Sequence, residues 1–215
     1  MRLADLLVDD DARATLSSRI AGVVVAVVTN TQDPDGLARV KVRFPWLSDA
    51  DESPWARVAC LMAGASRGTY FLPEVDDEVL VAFEQGDVRL PYVIGALWNG
   101  KDLPPAKNDD GKNDVRMIKS RSGHVVRLND KDGSETIEIV DKTGKNSLVI
   151  DATKNTIAIR SDQDITLSAA NGTITLDAQK LVLKSSADAA VQAGGAMKLE
   201  ASGTATLKGA TVNIN

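Results

Sequence analysis

The sequence predicts an all-β chain in two parts, a small five-stranded barrel and then a long stack of very short strands. Three observations predict it. Runs of β-branched residues separated by turn residues fill positions 20–98. A polar stretch carrying Pro104-Pro105 interrupts the chain at 99–114. Beyond it, apolar-x-apolar units recur about every eight residues.

The bulk properties fit a folded chain. With 215 residues and 43% hydrophobic content it can hold one good-sized core or two smaller ones. The single cysteine, Cys60, has no intramolecular disulfide partner and is expected to be a small core residue. With one histidine, His124, the chain cannot assemble a Cys/His zinc cluster. No signal-peptide pattern opens the sequence, and the longest apolar run, Val23 to Val28, is too short to span a bilayer, so synthesis and folding in the cytoplasm are expected. Charge is uneven: residues 1–114 hold 12 Lys and Arg against 19 Asp and Glu, and residues 115–215 hold 13 against 11. The acidic first half argues against a nucleic-acid groove there, because phosphate neutralisation needs a clustered basic surface.

The barrel strands are expected at 20–28, 38–44, 55–62, 78–84 and 91–97. In "RVKVRF" the alternation puts Val40, Val42 and Phe44 on one face and Arg39, Lys41 and Arg43 on the other. "DPDG" at 33–36 supplies a turn, with Pro34 fixing φ and Gly36 able to take a positive φ. Five strands in about 80 residues suit an OB-fold barrel. Residues 99–114 read as a linker.

Residues 115–215 read as a needle. From Ile157 to Val212, 55 residues pass in seven steps. Eight extended residues make a perimeter of only about 26 Å, too tight for one chain to bury two large side chains per turn. Three chains give about 24 residues per turn, enough for a triangular prism in which each strand pairs with strands of the other two chains. An intertwined triple-stranded β-helix in a homotrimer follows, about 50 Å long if ten units each rise one strand spacing. Its expected core is Ile157, Ile159, Ile165, Leu167, Ile174, Leu176, Leu181, Leu183, Met197, Leu199, Leu207, Val212 and Ile214. Small residues such as Asn171-Gly172 and Gly194-Gly195 are its corners.

At this point the chain resembles a known family, the phage baseplate assembly protein V and the spike part of type VI secretion valine-glycine repeat proteins. "GVVVAVVTNTQDPDGLARVKVRFPW", "SPWARVACLMAGASRGTYFLPEVDDEVLVAFEQGD" and "RLPYVIGALWNG" carry the successive signatures of its OB domain. "RSGHVVRLNDKDGSETIEI" at 121–139 resembles the segment that enters the needle. The resemblance implies a non-enzymatic central spike of a contractile injection system, without cofactor, assembled in a baseplate and piercing the target envelope on sheath contraction. It also implies partners. Relatives of the valine-glycine class carry the hub fused ahead of the OB domain, so a separate hub protein is expected here, with residues 1–19 as a helical, hub-facing or barrel-docked segment. Leu3, Leu6, Leu7 and Leu16 have the spacing for that helix. Some phage relatives carry a lysozyme where this chain has only its linker. Others end in a His-x-His iron site, whereas this end is "GATVNIN", the blunt kind that takes a PAAR-repeat tip protein on Val212, Asn213, Ile214 and Asn215.

Other motifs read as structure. His124 in "SRSGHVV" is a turn or packing residue at the needle's entrance, in preference to an ion ligand on a trimer axis. Glu74, Asp76, Asp77 and Glu78 precede an apolar strand and read as a solvated turn, not an acid/base pair. "SRSGH" lacks nucleophile-elbow spacing. Trp46, Trp55, Tyr70, Phe71, Tyr92 and Trp98 are expected mostly in the barrel core or at subunit contacts, because a stacking platform for single-stranded nucleic acid does not fit an acidic half. The alternative function is a trimeric fibre or adhesin shaft, disfavoured because the repeat reaches the carboxy terminus.

Overall fold

The computed structural model describes residues 19–48 and 51–214. The amino-terminal segment expected to be helical lies outside these residues apart from Arg19, and so does Asn215. Contacts within the chain divide it into two units, the first ending at Asp162 and the second beginning at Gln163. Among the described residues there is no α-helix, only a 3-10 turn at Glu84–Gly86.

The first unit holds a curled, OB-like sheet. Its strands are β1 (Val23–Asn30), β2 (Lys41–Arg43), β3 (Arg57–Val58), β6 (Glu78–Phe83) and β7 (Pro91–Ala96), in the order β2-β1-β6-β7-β3. A two-stranded hairpin, β4 (Ala63–Gly64) and β5 (Arg67–Gly68), is inserted between β3 and β6. The sheet curls because the segment before β3 meets β2: Val40 N donates to Ala56 O at 3.0 Å and Ala56 N to Val40 O at 2.7 Å. Ser53, 6% exposed, helps hold that seam, its Oγ accepting from Val42 N at 3.1 Å and donating to Pro54 O at 2.7 Å.

Period-two alternation fills the inside. Ala26 and Val28 of β1, Val79, Val81 and Phe83 of β6 and Val93 of β7 are buried, with Val40, Val42 and Phe44 around β2. Phe44 and Phe83 meet at 5.6 Å between ring centroids, tilted by 52°. Fully burying each valine contributes about 1.5–3 kcal/mol, so six of them dominate this small core.

The turn at 33–36 is tied by its first residue. Gly36 takes φ +66° and donates to Asp33 O at 3.1 Å. The Asp33 carboxylate accepts from the backbone of Asp35, Leu37 and Arg39 and, as a fork, from Arg39 Nε at 2.9 Å and Nη2 at 2.6 Å. The guanidinium of Arg39 and then these backbone donors hold its carboxyl well below the usual carboxylate range.

Two expectations are corrected here. The run 55–62 is not one long strand: it bridges at Ala56, pairs in parallel with β7 over Arg57–Val58 and then leaves for the hairpin. Cys60, carried out with it, is exposed and not a core residue. Of the aromatics expected in the core or at subunit contacts, Trp55 and Tyr92 are half-buried in the single chain, and Trp46, Tyr70, Phe71 and Trp98 are exposed where the chain has left the sheet.

The first unit continues into an antiparallel meander of five-residue strands: β8 (Val115–Lys119), β9 (Val125–Asn129), β10 (Thr136–Val140), β11 (Ser147–Asp151) and β12 (Thr156–Arg160). This differs from pairing between chains at every unit. Ile137/Ile139, Leu148/Ile150 and Ile157/Ile159 lie on adjacent strands of one chain. The reason is turn chemistry: reversals such as "DKTGK", where Gly144 takes φ +72°, turn the chain back on itself between these units. The acidic run is a solvated turn, with Glu74 N donating to Asp77 Oδ2 at 2.8 Å, and Glu74 pairs with Arg121 of the meander at 2.5 Å.

Candidate assembly surface

Strict antiparallel register lines up one face of the meander into two rows. The first runs Ile118, Val126, Ile139, Leu148, Ile159 across the five strands. The second runs Arg116, Leu128, Ile137, Ile150, Ile157. Nine of the ten residues are aliphatic, and at five strands about 4.8 Å apart the rows cross about 20 Å of surface. Neighbouring aliphatic pairs contribute roughly 0.2–1 kcal/mol each within the sheet. The face nevertheless stays open, with Ile139 52% and Ile159 61% exposed. A depression of about 490 Å³ lies at one end, lined by Ile118, Val126, Ile139 and Leu148 together with His124.

The opposite face mixes charged and apolar side chains, with Met117, Arg127, Glu138, Val149 and Ala158 as its middle row, all half-buried. Its middle row pairs Arg127 with Glu138 at 2.5 Å, and Thr136 Oγ1 donates to the same carboxylate at 2.9 Å. A sheet ordinarily turns its more apolar side inward, so an aliphatic face left exposed is a candidate surface for a partner.

The end of the meander is pinned. Asn146 Oδ1 accepts from Asp162 N at 3.0 Å and from Ser161 Oγ at 3.2 Å, while Lys145 pairs with Asp162 at 2.7 Å. Asn146 is itself held by Asp141, whose Oδ1 accepts from Asn146 N at 3.1 Å. The Thr143 hydroxyl and then the Asn146 backbone lower the Asp141 carboxyl to about 2 from its usual 3.8.

In the second unit, residues 163–214 are exposed throughout and form no strand among the described residues. Bends or turns fall at 162–163, 170–172, 179–180, 186–187, 194–195, 202–203 and 210–211, a return about every eight residues. Among the described residues of this unit one backbone–backbone hydrogen bond closes, from Gly172 N to Ala169 O at 3.2 Å. Between the corners stand Ile165, Leu167, Ile174, Leu176, Leu181, Leu183, Met197, Leu199, Leu207, Val212 and Ile214, from 45% exposed at Val212 to 90% at Leu199. Ile157 and Ile159, expected in the same core, lie on β12. Ile118, Val126 and Leu128 extend the apolar face beyond the residues that the repeat singled out. Their signal was the alternation in "RMIK" and "VVRLN", masked by the arginine in each. His124 sits in the turn after β8, its Nδ1 accepting from Lys142 N at 3.2 Å.

A curled five-stranded sheet, then a meander with a bare aliphatic face, then an extended eight-residue beat define a β-structural protein built for assembly. Residues 24–98 match the type VI secretion system/phage-baseplate injector OB domain. The chain is 30% identical over 168 residues to the type VI secretion system spike protein VgrG3 of Vibrio cholerae, covering 73% of this chain and 16% of that protein. It is 31% identical over 127 residues to the spike protein VgrG1a of Pseudomonas aeruginosa, covering 54% and 20%, and 36% identical over 132 residues to VgrG5 of the same species, covering 55% and 17%. The chain therefore spans a fifth or less of the length of these relatives. Residues 24–98 are an injector OB domain, and the chain is a homologue of type VI secretion and phage-baseplate spike proteins.

Proposed function

We propose that this chain is the central spike of a contractile injection system, a homotrimer whose β-helical needle, residues 115–215, pierces the target envelope when a sheath contracts. The observation that carries the reading is the state of residues 163–214: an apolar beat with regular corners, fully exposed, with almost no backbone pairing of its own. Such a segment cannot offset the entropy of ordering from contacts within one chain, and it is complete only when strands of other chains supply the missing partners. Kinship with spike proteins supports the same role.

The mechanism is mechanical. Work comes from contraction elsewhere, and the protein contributes stiffness and a narrow apex, with no catalytic residue and no cofactor. The OB domain at 20–98 sits against a hub protein at the end of the tail tube, the stretch 99–114 links it to the needle, and Val212 to Asn215 receive a PAAR-repeat tip protein. Contact with the target membrane is transient, and among the described residues no helix is long and apolar enough to cross one. Nucleic acid is not a partner.

Mass in solution tests the reading. A particle of about three times 22.8 kDa is expected, and a 22.8 kDa species at micromolar concentration would sink it. The tip is a separate question: deleting 212–215 should abolish capture of a PAAR-repeat protein, and unchanged capture removes that partner.

A further inference from the structure

The two stretches that the proposed trimer covers differ in what each chain can do alone. The strands of β8–β12 pair with one another within one chain, leaving only the outer edges of β8 and β12 open, whereas residues 163–214 form no strand pairs. Bringing three chains together along an intertwined helix costs association and loop-closure entropy before any strand gains a partner. A preformed face removes much of that cost, because one encounter buries many side chains already held in place.

We infer that the aliphatic face of β8–β12 is the seed of assembly: second and third copies of this chain dock on it first, and the needle then zips from Ile165 toward the carboxy terminus. The inference rests on the trimeric reading above and adds its direction. The occupant is a copy of the same chain for two reasons. The face carries aliphatics and, at its corner, only Arg116 as a charged group, so it asks for an apolar partner. Its apolar-x-apolar alternation also recurs past Asp162 as Ile165/Leu167 and Ile174/Leu176, so a copy of this chain brings apolar pairs of the same pattern to the face.

The pin at the sheet's end serves the handover. Asn146 and Lys145 fix the backbone and side chain of Asp162, so each chain leaves the seed from a set point. Three chains leaving equivalent points start their needle strands in register, which matters because a shift by one residue would turn every apolar side chain outward.

The test is kinetic and uses the full chain, unfolded in denaturant and diluted to start trimer formation, followed by light scattering. Ile139→Ala should slow association about tenfold, whereas Leu207→Ala should leave the association rate unchanged and speed disassembly. Hydrogen exchange of the β10 and β11 amides before association reports whether the Ile139→Ala sheet is still formed, which separates loss of docking from loss of fold. Equal slowing by both substitutions, or slowing by Leu207→Ala alone, overturns the direction. A wild-type chain that stays monomeric overturns the trimeric reading itself, and a wild-type trimer whose association ignores Ile139→Ala overturns only the seed.

Discussion

Residues 115–160 and 163–214 share one alternation and come to opposite states. In the first stretch, turns of four to six residues with glycine or asparagine at positive φ reverse the chain, and the strands pair with one another. In the second, corners return about every eight residues, yet the chain bends at them without turning back to pair with itself. What separates the two stretches is the turn chemistry between the apolar pairs, more than the pairs themselves.

The strongest way to break this contrast is Ile174→Asp. It places three carboxylates together in the proposed apolar core, and trimer yield by sedimentation should fall to nothing. Normal yield would mean that Ile174 faces out. The hairpin side is probed by Gly144→Val, since a β-branched residue at φ +72° costs about 1–2 kcal/mol. The opening free energy of the β10–β11 region, read from hydrogen exchange, should drop by that amount, with the OB domain unmoved.

Acid should separate the regions further. The carboxyl of Asp141 is lower in the folded chain, about 2 against 3.8, so its contribution is present above pH 4 and is lost as pH falls through about 2. Exchange protection of β10–β11 should therefore weaken between pH 4 and pH 2, and Asp141→Asn should flatten that dependence. The smallest effect belongs to Arg127→Ala on the outer face. A partly exposed cross-strand ion pair contributes about 0.5 kcal/mol, and a larger loss of thermal stability would mean that this face is covered too.

Much of the barrel was legible. β1, β2, β6 and β7 follow from alternation, and the 33–36 turn from Pro34 and Gly36. What was not legible depends on partners distant in sequence. Arg39 reaching back to Asp33, the parallel pairing of Arg57–Val58 with β7 and the exposure of Cys60 all follow from where the chain leaves the sheet, which local pattern does not record. The eight-residue beat was plain in the sequence, but the aliphatic face of the meander was not. It takes one or two side chains from each of five strands and becomes a surface only through register.

The regular return of the corners has one more consequence, for length. A segment whose bends fall at 170–172, 179–180, 186–187, 194–195, 202–203 and 210–211 is graduated like a ruler. Inserting or removing one whole graduation of about eight residues would change the reach of the proposed needle by about 4.8 Å per unit while keeping each side chain on its side. A change of half a graduation would put corners where walls belong. The reach of the proposed needle can therefore be adjusted by gene duplication within the repeat, in discrete steps, without rebuilding the OB domain that precedes it in the sequence.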